Sequence, residues 1–167
     1  MYEELSFINE KIYLKLGYTI SQLHINKEST EYSACTFLLN DFHILYRTSK
    51  ITPTKTGQFV TLWKRNLAGT IEPFNENDCI DYVIIQVQKD GKIGQFIFPK
   101  SVLIAKGILS TSRKDGKRGF RVYPIWDITT SKQAITTQNW QLKYFYTYSE
   151  TMDLSIITKL FKESLKH

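Results

Sequence analysis

The chain has 167 residues, a net charge of +6 with 22 Lys and Arg against 16 Asp and Glu, and 23 aromatic residues (3 Trp, 10 Tyr, 10 Phe). That length and aromatic content are enough for one domain with its own core, and they exclude a disordered tail, a disulfide miniprotein and a metal-stapled finger. No apolar run reaches membrane-spanning length, and Met1-Tyr2-Glu3-Glu4 is acidic where a secretory leader is basic, so a soluble cytoplasmic domain over 1–167 is expected. Cys35 and Cys79 stand too far apart for a zinc or redox motif and are expected as reduced, buried thiols.

Leu5, Ile8, Ile12 and Leu16 recur at helical spacing and predict an amphipathic helix closing at Gly17. Ser33 to Leu39 and His43 to Thr48 read as a hairpin turning at Asn40-Asp41. Pro53 and Gly57 make 50–57 a loop before a strand from Gln58 to Trp63, and 66–78 reads as a polar loop or lid. Ile80 to Gln88 is a strand with bulk on both faces, joined by Asp90-Gly91 to a second from Ile93 to Phe98. A short helix from Val102 to Lys106, capped by Ser101, should stop at Gly107. A basic loop over 110–119 leads to a strand from Phe120 to Tyr123 and a turn over Pro124 to Asp127. Ser131 caps a predicted helix running into Tyr146, and Leu154, Ile157, Leu160, Phe161 and Leu165 form the stripe of a last helix. This order predicts a mixed central sheet flanked by helices, α/β or α+β.

Charge is segregated along the chain. Residues 42–71 hold five basic residues and no acid, and 91–121 hold eight basic residues against Asp115 alone. Between them, 72–90 carries five acids against Lys89. If the two basic segments fold onto one face, their field would attract a polyanion, and nucleic acid is the leading expectation. Candidate phosphate contacts are Arg47, Lys50, Lys55, Lys64, Arg65, Lys100, Lys117, Arg118 and Arg121. Lys55 lies in a Pro-Thr-Lys-Thr-Gly loop that lacks the glycine run of a P-loop. Trp63, Tyr123 and Trp126 are possible base-stacking residues, which favours a single strand. A solvated charge run or a helper of the core is the plainer alternative for each of these side chains.

The stretch from Tyr46 to Arg65 resembles the longest signature of MepB-like proteins. Further pieces are Asp81 in the Ile80 to Val87 strand, Gly94 to Lys100, Gly116 to Pro124 with Trp126-Asp127, and Gln138-Asn-Trp-Gln141. Tyr46-Arg-Thr-Ser-Lys50 replaces an expected Phe-Arg-x-Ala-Lys and keeps Arg47 and Lys50. The resemblance implies a restriction-endonuclease-like fold, whose sites combine acidic metal ligands with a lysine. A Mg²⁺- or Mn²⁺-dependent nuclease would then use Asp81 and Lys50 in catalysis, with Asp81, Asp78 and Glu31 as metal ligands and Asp41 as a further acid. Against this, Thr48 stands two residues before Lys50 and Phe98 two before Lys100, where such a strand carries an acid. A third expectation is a protein- or ligand-interaction domain whose basic face meets an acidic partner.

Overall fold

The computed structural model describes residues 1–163, so Leu165 of the last predicted helix lies outside the described residues. The N-terminal apolar stripe forms α1 (Glu3–Ile8), continues through a π turn (Asn9–Tyr13) and a 3₁₀ turn, and closes at Gly17. The chain then lays down β1 (Ile20–Ile25), β2 (Cys35–Leu39), β3 (Phe42–Thr48), β4 (Lys50–Ile51), β5 (Gln58–Thr61), β6 (Trp63–Arg65) and β7 (Ile71–Pro73). β8 (Tyr82–Lys89), β9 (Lys92–Pro99), α2 (Lys100–Ala105), β10 (Gly119–Val122), α3 (Lys132–Gln141), β11 (Phe145–Thr147) and α4 (Ser155–Glu163) follow.

The main sheet has the order β1-β2-β3-β8-β9-β11, with β3 and β8 parallel and every other pair antiparallel. It is thus a mixed α/β architecture with a central mixed sheet. Both expected hairpins are present, β2–β3 around Asn40-Asp41 and β8–β9 around Asp90-Gly91. Period-two alternation assigns Tyr82 and Ile84 to one core and Val83, Ile85 and Val87 to the other. The first core is shared with α1, the π turn and α4 through Leu5, Ile8, Ile12, Ile157 and Phe161. The second is covered by α2 and by a small sheet of order β10-β5-β4, through Leu103, Val60, Phe120 and Val122.

Five expectations need correction. Lys50–Ile51, expected within the 50–57 loop, pair with β5 as β4. Residues 66–78 are not all loop, because β7 pairs with β6 across a turn in which the Asn66 side-chain oxygen accepts from the Ala68 and Thr70 N–H groups. The helix after Ser131 ends at Gln141, and Phe145–Thr147 instead hydrogen-bonds to β9 as the sheet's last strand. Ser131 does cap α3, accepting from Ala134 N at 3.1 Å, but α2 starts after Pro99 with no side-chain cap from Ser101. Cys35 is buried, and Cys79 is exposed.

Two glutamines lie inside the first core. Gln95 Oε1 accepts from the hydroxyls of Tyr13 at 2.8 Å and Tyr146 at 2.7 Å, and Gln95 Nε2 donates to Gln86 Oε1 at 3.0 Å. Gln86 Oε1 also accepts from Tyr46 Oη at 2.8 Å, and Gln86 Nε2 donates to the Glu4 carbonyl at 3.0 Å. Gln86 and Gln95 are register partners on β8 and β9, so their amides meet across the ladder and satisfy groups that burial would otherwise leave unpaired.

Candidate nucleic-acid interface

The loop from Thr52 to Gly57 leaves β4 and returns into β5, and Arg121 on neighbouring β10 holds it. Arg121 Nη1 donates to the Thr56 carbonyl at 3.1 Å and Nη2 to Thr52 Oγ1 at 2.5 Å. Gly57 closes the loop at φ +81°, where a Cβ would lie 2.7 Å from the Tyr123 ring, so glycine is required for both conformation and space. Lys55 is exposed on this loop.

A second loop meets the first. Lys117 N donates to the Ile108 carbonyl at 2.9 Å and Gly116 N to Ser110 Oγ at 2.7 Å. A Cβ on Gly116 would fall 2.4 Å from the Ile108 carbonyl oxygen, so this backbone crossing also depends on a glycine. The crossing sets Lys117 beside the segment that follows α2, where Lys106 Nζ sits 5.4 Å from the centroid of the Trp140 ring on α3. Helix α3 is pinned in turn by two glutamines one turn apart. Gln141 accepts from Tyr123 N at 2.8 Å and donates to the Arg121 carbonyl at 2.9 Å. Gln138 donates to the Pro124 and Asp127 carbonyls, each at 2.9 Å.

Lys55, Lys106, Lys117 and Arg121 line one open cleft of about 420 Å³, with Ser131, Thr137 and Trp140 of the α3 side on its far wall. No Asp or Glu lines it, and none of the four cations forms an ion pair among the described residues. Like charges gathered without acids repel one another, so the cleft is electrostatically suited to an anion.

The other basic candidates are elsewhere or occupied. Arg47 is 1% exposed and donates from Nη1 to the Tyr46 carbonyl, so it cannot meet a phosphate from this position. Burial lowers its pKa to about 10, against the raising effects of Cys35 and Tyr2, and its Nε finds no acceptor. Arg47→Met should therefore leave oligonucleotide affinity unchanged and raise stability by about 2 kcal/mol, because an unpaired buried charge is replaced by an apolar chain of similar length. Urea unfolding checks this, and a loss of stability refutes it. Lys50 lies over the Tyr32 ring at 4.8 Å. Lys64 pairs with Asp78 at 2.6 Å and Glu72 at 3.7 Å, and Arg65 with Glu28 at 2.6 Å. Lys100 Nζ donates to the Asp78 carbonyl. Arg118 lines a separate groove with Glu72, Glu76 and Asp115.

The acids do not form the expected metal set. Asp81 Oδ2 accepts from His43 N at 2.7 Å, tying β3 to the start of β8. Asp78 is engaged by Lys64 and by Asn75 N, and Glu31 is exposed on the turn before β2. Among the described residues no three His, Cys, Asp or Glu side chains group to hold a metal. The structure thus does not bring Asp78, Asp81 and Glu31 together as ligands, nor Lys50 to Asp81 as a catalytic pair. Asp81 holds two strands together, and Lys50 packs on a ring.

Three of the motif stretches named above from sequence meet at the cleft, and the Ile80 to Val87 and Gly94 to Lys100 stretches do not line it. Lys55 comes from the longest, Lys117, Phe120, Arg121 and Tyr123 from the Gly116 to Pro124 stretch, and Trp140 and Gln141 from the last. The MepB-like family matches residues 26–147. The chain belongs to the MepB-like family. A crystal structure of MepB is similar over 89% of this chain and 99% of that one, at 35% identity and a TM-score of 0.77. The structure of I-Ssp6803I, a bacterial homing endonuclease, is similar over 84% of this chain and 87% of that one, at 13% identity and a TM-score of 0.47. No curated protein matches the chain. Among the cleft cations Lys106 is absent from the candidate phosphate contacts, although it lies in the 91–121 basic segment; Ser131 and Thr137 carry no charge signal and are absent as well.

Proposed function

We propose that this MepB-like chain binds nucleic acid by its phosphate backbone, through Lys55, Lys106, Lys117 and Arg121. The observation that carries this reading is the acid-free cleft lined by those four cations. Lysine heads act as point charges, and Arg121, with two N–H groups spent on the loop, presents its remaining donors beside them. The hydroxyls of Ser131 and Thr137 add neutral phosphate contacts. The reading is one of binding and not of cutting, since the cleft lining offers no carboxylate to hold Mg²⁺ or Mn²⁺.

Titration of fluorescently labelled single- and double-stranded oligonucleotides at 50 and 200 mM salt tests it. Four phosphate contacts give a salt slope of about −3 and about a 50-fold weakening between the two conditions. No binding at the lower salt, or binding insensitive to salt, overturns the reading.

A further inference from the structure

The cationic cleft has one wall that phosphate contact leaves unused. Trp140 on α3 lines it, half-buried, with its ring centroid 5.5 Å from that of buried Phe98. Lys106 is exposed, and its ammonium has this indole as its one partner among the described residues. Gln133 and Thr137 stand on the same helix face, and among the described residues neither side chain makes a hydrogen bond. Ala134 between them adds only a methyl group, which leaves room for a flat ligand beside the indole.

The size and charge of the cleft suit a ligand held as a whole. Small-molecule sites lie in the range of about 300–1,000 Å³, and this cleft, at about 420 Å³, falls within it. Its four cations surround one space, with no carboxylate on the lining to offset them. A nucleoside triphosphate carries roughly four negative charges at pH 7, because its terminal phosphate loses a second proton near pH 6. The same molecule ends in a flat ring with a hydrogen-bonding edge.

We propose that the cleft is also a site for a free nucleoside triphosphate, with its phosphates among Lys55, Lys117 and Arg121 and its base on Trp140, and that nucleotide and nucleic acid exclude one another. The exclusion rests on the phosphate-backbone reading above, whereas the nucleotide site stands on the cleft alone. As the base takes the indole, the Lys106 ammonium turns from the ring to the phosphates and exchanges a cation–π contact for a charge-assisted hydrogen bond. Gln133 offers a donor and an acceptor to the edge of the base, and Thr137 a hydroxyl. The same cations cannot serve two polyanions at once. By mass action, nucleotide at about ten times its own Kd weakens nucleic-acid binding about tenfold.

Calorimetric titration with ATP, AMP and inorganic tripolyphosphate at matched ionic strength tests the site, and displacement of the labelled oligonucleotides by ATP tests the exclusion. ATP should bind about tenfold more tightly than tripolyphosphate, which lacks the base. It should bind about 30-fold more tightly than AMP, which lacks two of the three phosphates. ATP should also quench part of the tryptophan fluorescence, and tripolyphosphate should not. Trp140→Leu should abolish that quenching and bring ATP to the tripolyphosphate level. Gln133→Ala, at an exposed position that folding does not need, should weaken ATP about threefold and leave tripolyphosphate unchanged. Equal affinity for ATP and tripolyphosphate, or quenching that persists in Trp140→Leu, overturns the nucleotide site and leaves the phosphate-backbone reading standing. Oligonucleotide binding that saturating ATP does not weaken overturns the exclusion. ATP binding with no oligonucleotide bound at low salt overturns the backbone reading and the exclusion with it, and supports the nucleotide site.

Discussion

Replacing Lys55, Lys106 and Lys117 together by alanine should weaken oligonucleotide binding about 100-fold at 0.1 M salt. Each lost phosphate contact removes about 0.7 from the salt slope of a single strand, so the slope should fall by about 2 as well. The three side chains are exposed and free of ion pairs among the described residues, so their removal should lower stability by no more than the Lys106–Trp140 contact, about 0.5–1 kcal/mol. Relief of mutual repulsion should offset part of that. Lys64→Ala is the instructive contrast. Lys64 belongs to an equally basic stretch of sequence but already neutralises Asp78 and Glu72, so its loss should change affinity little. Fluorescence anisotropy across a salt series separates the two variants. Equal effects would mean that sequence charge, and not its placement in the cleft, governs binding.

Gln95→Leu should cost about 4 kcal/mol in stability, a large share of what a domain of this size has to lose. The substitution keeps volume but leaves the hydroxyls of Tyr13 and Tyr146 buried with no acceptor, each at about 1–3 kcal/mol. Tyr13→Phe alone should cost only about 1 kcal/mol, because Gln95 keeps Tyr146 and Gln86 as partners. Adding Tyr13→Phe and Tyr146→Phe to Gln95→Leu should recover most of the loss, since apolar groups then replace both sides of each bond. Urea unfolding of the four proteins tests the set, and failure of the phenylalanines to rescue stability would show that the network is not the cause.

The same tyrosines set an alkaline limit. Burial raises the pKa of Tyr13, Tyr46 and Tyr146 above the ordinary value of 10.0. The unfolded chain releases these protons from about pH 10 while the folded chain retains them. Their contribution is therefore complete below pH 10 and is lost as pH rises above it, at about 1.4 kcal/mol per pH unit for each.

Much of the sheet could be read from sequence because its signals are local. The Asn40-Asp41 and Asp90-Gly91 turns and the apolar runs around them specify β2–β3 and β8–β9 without reference to anything distant. β1 escaped notice for an equally physical reason: its register against β2 shifts between Ser21 and His24, with Gln22 at positive φ, so no two-residue alternation runs through it. β11 was absorbed into the preceding helix because Phe145–Thr147 becomes a strand only by pairing with β9, a partner about 50 residues away. Gln86 and Gln95 look like the polar positions of half-exposed strands, and only their mutual pairing allows both to turn inward.

The site was legible in the same uneven way. Lys55, Lys117 and Arg121 could be nominated by charge, but Arg65 and Lys64 meet acids 37 and 14 residues away, and nothing local distinguishes an occupied cation from a free one. Asp81 was a reasonable metal ligand by residue type. Its actual role, receiving the His43 N–H, depends on the parallel approach of β3 and β8.

The Gln95 network also bears on how the chain is made. Tyr13 finds its acceptor 82 residues later, and Glu4 offers its carbonyl to Gln86 across the same interval. At a translation rate of about 5–20 residues per second, the N-terminal helix emerges roughly 4–16 seconds before its partners are synthesised. During that interval Leu5, Ile8 and Ile12 can meet only the β1–β3 part of the sheet they finally cover. The β8–β9 hairpin, closed by a two-residue turn, can form as soon as it leaves the ribosome, and the oldest part of the chain must then return to dock on the newer part.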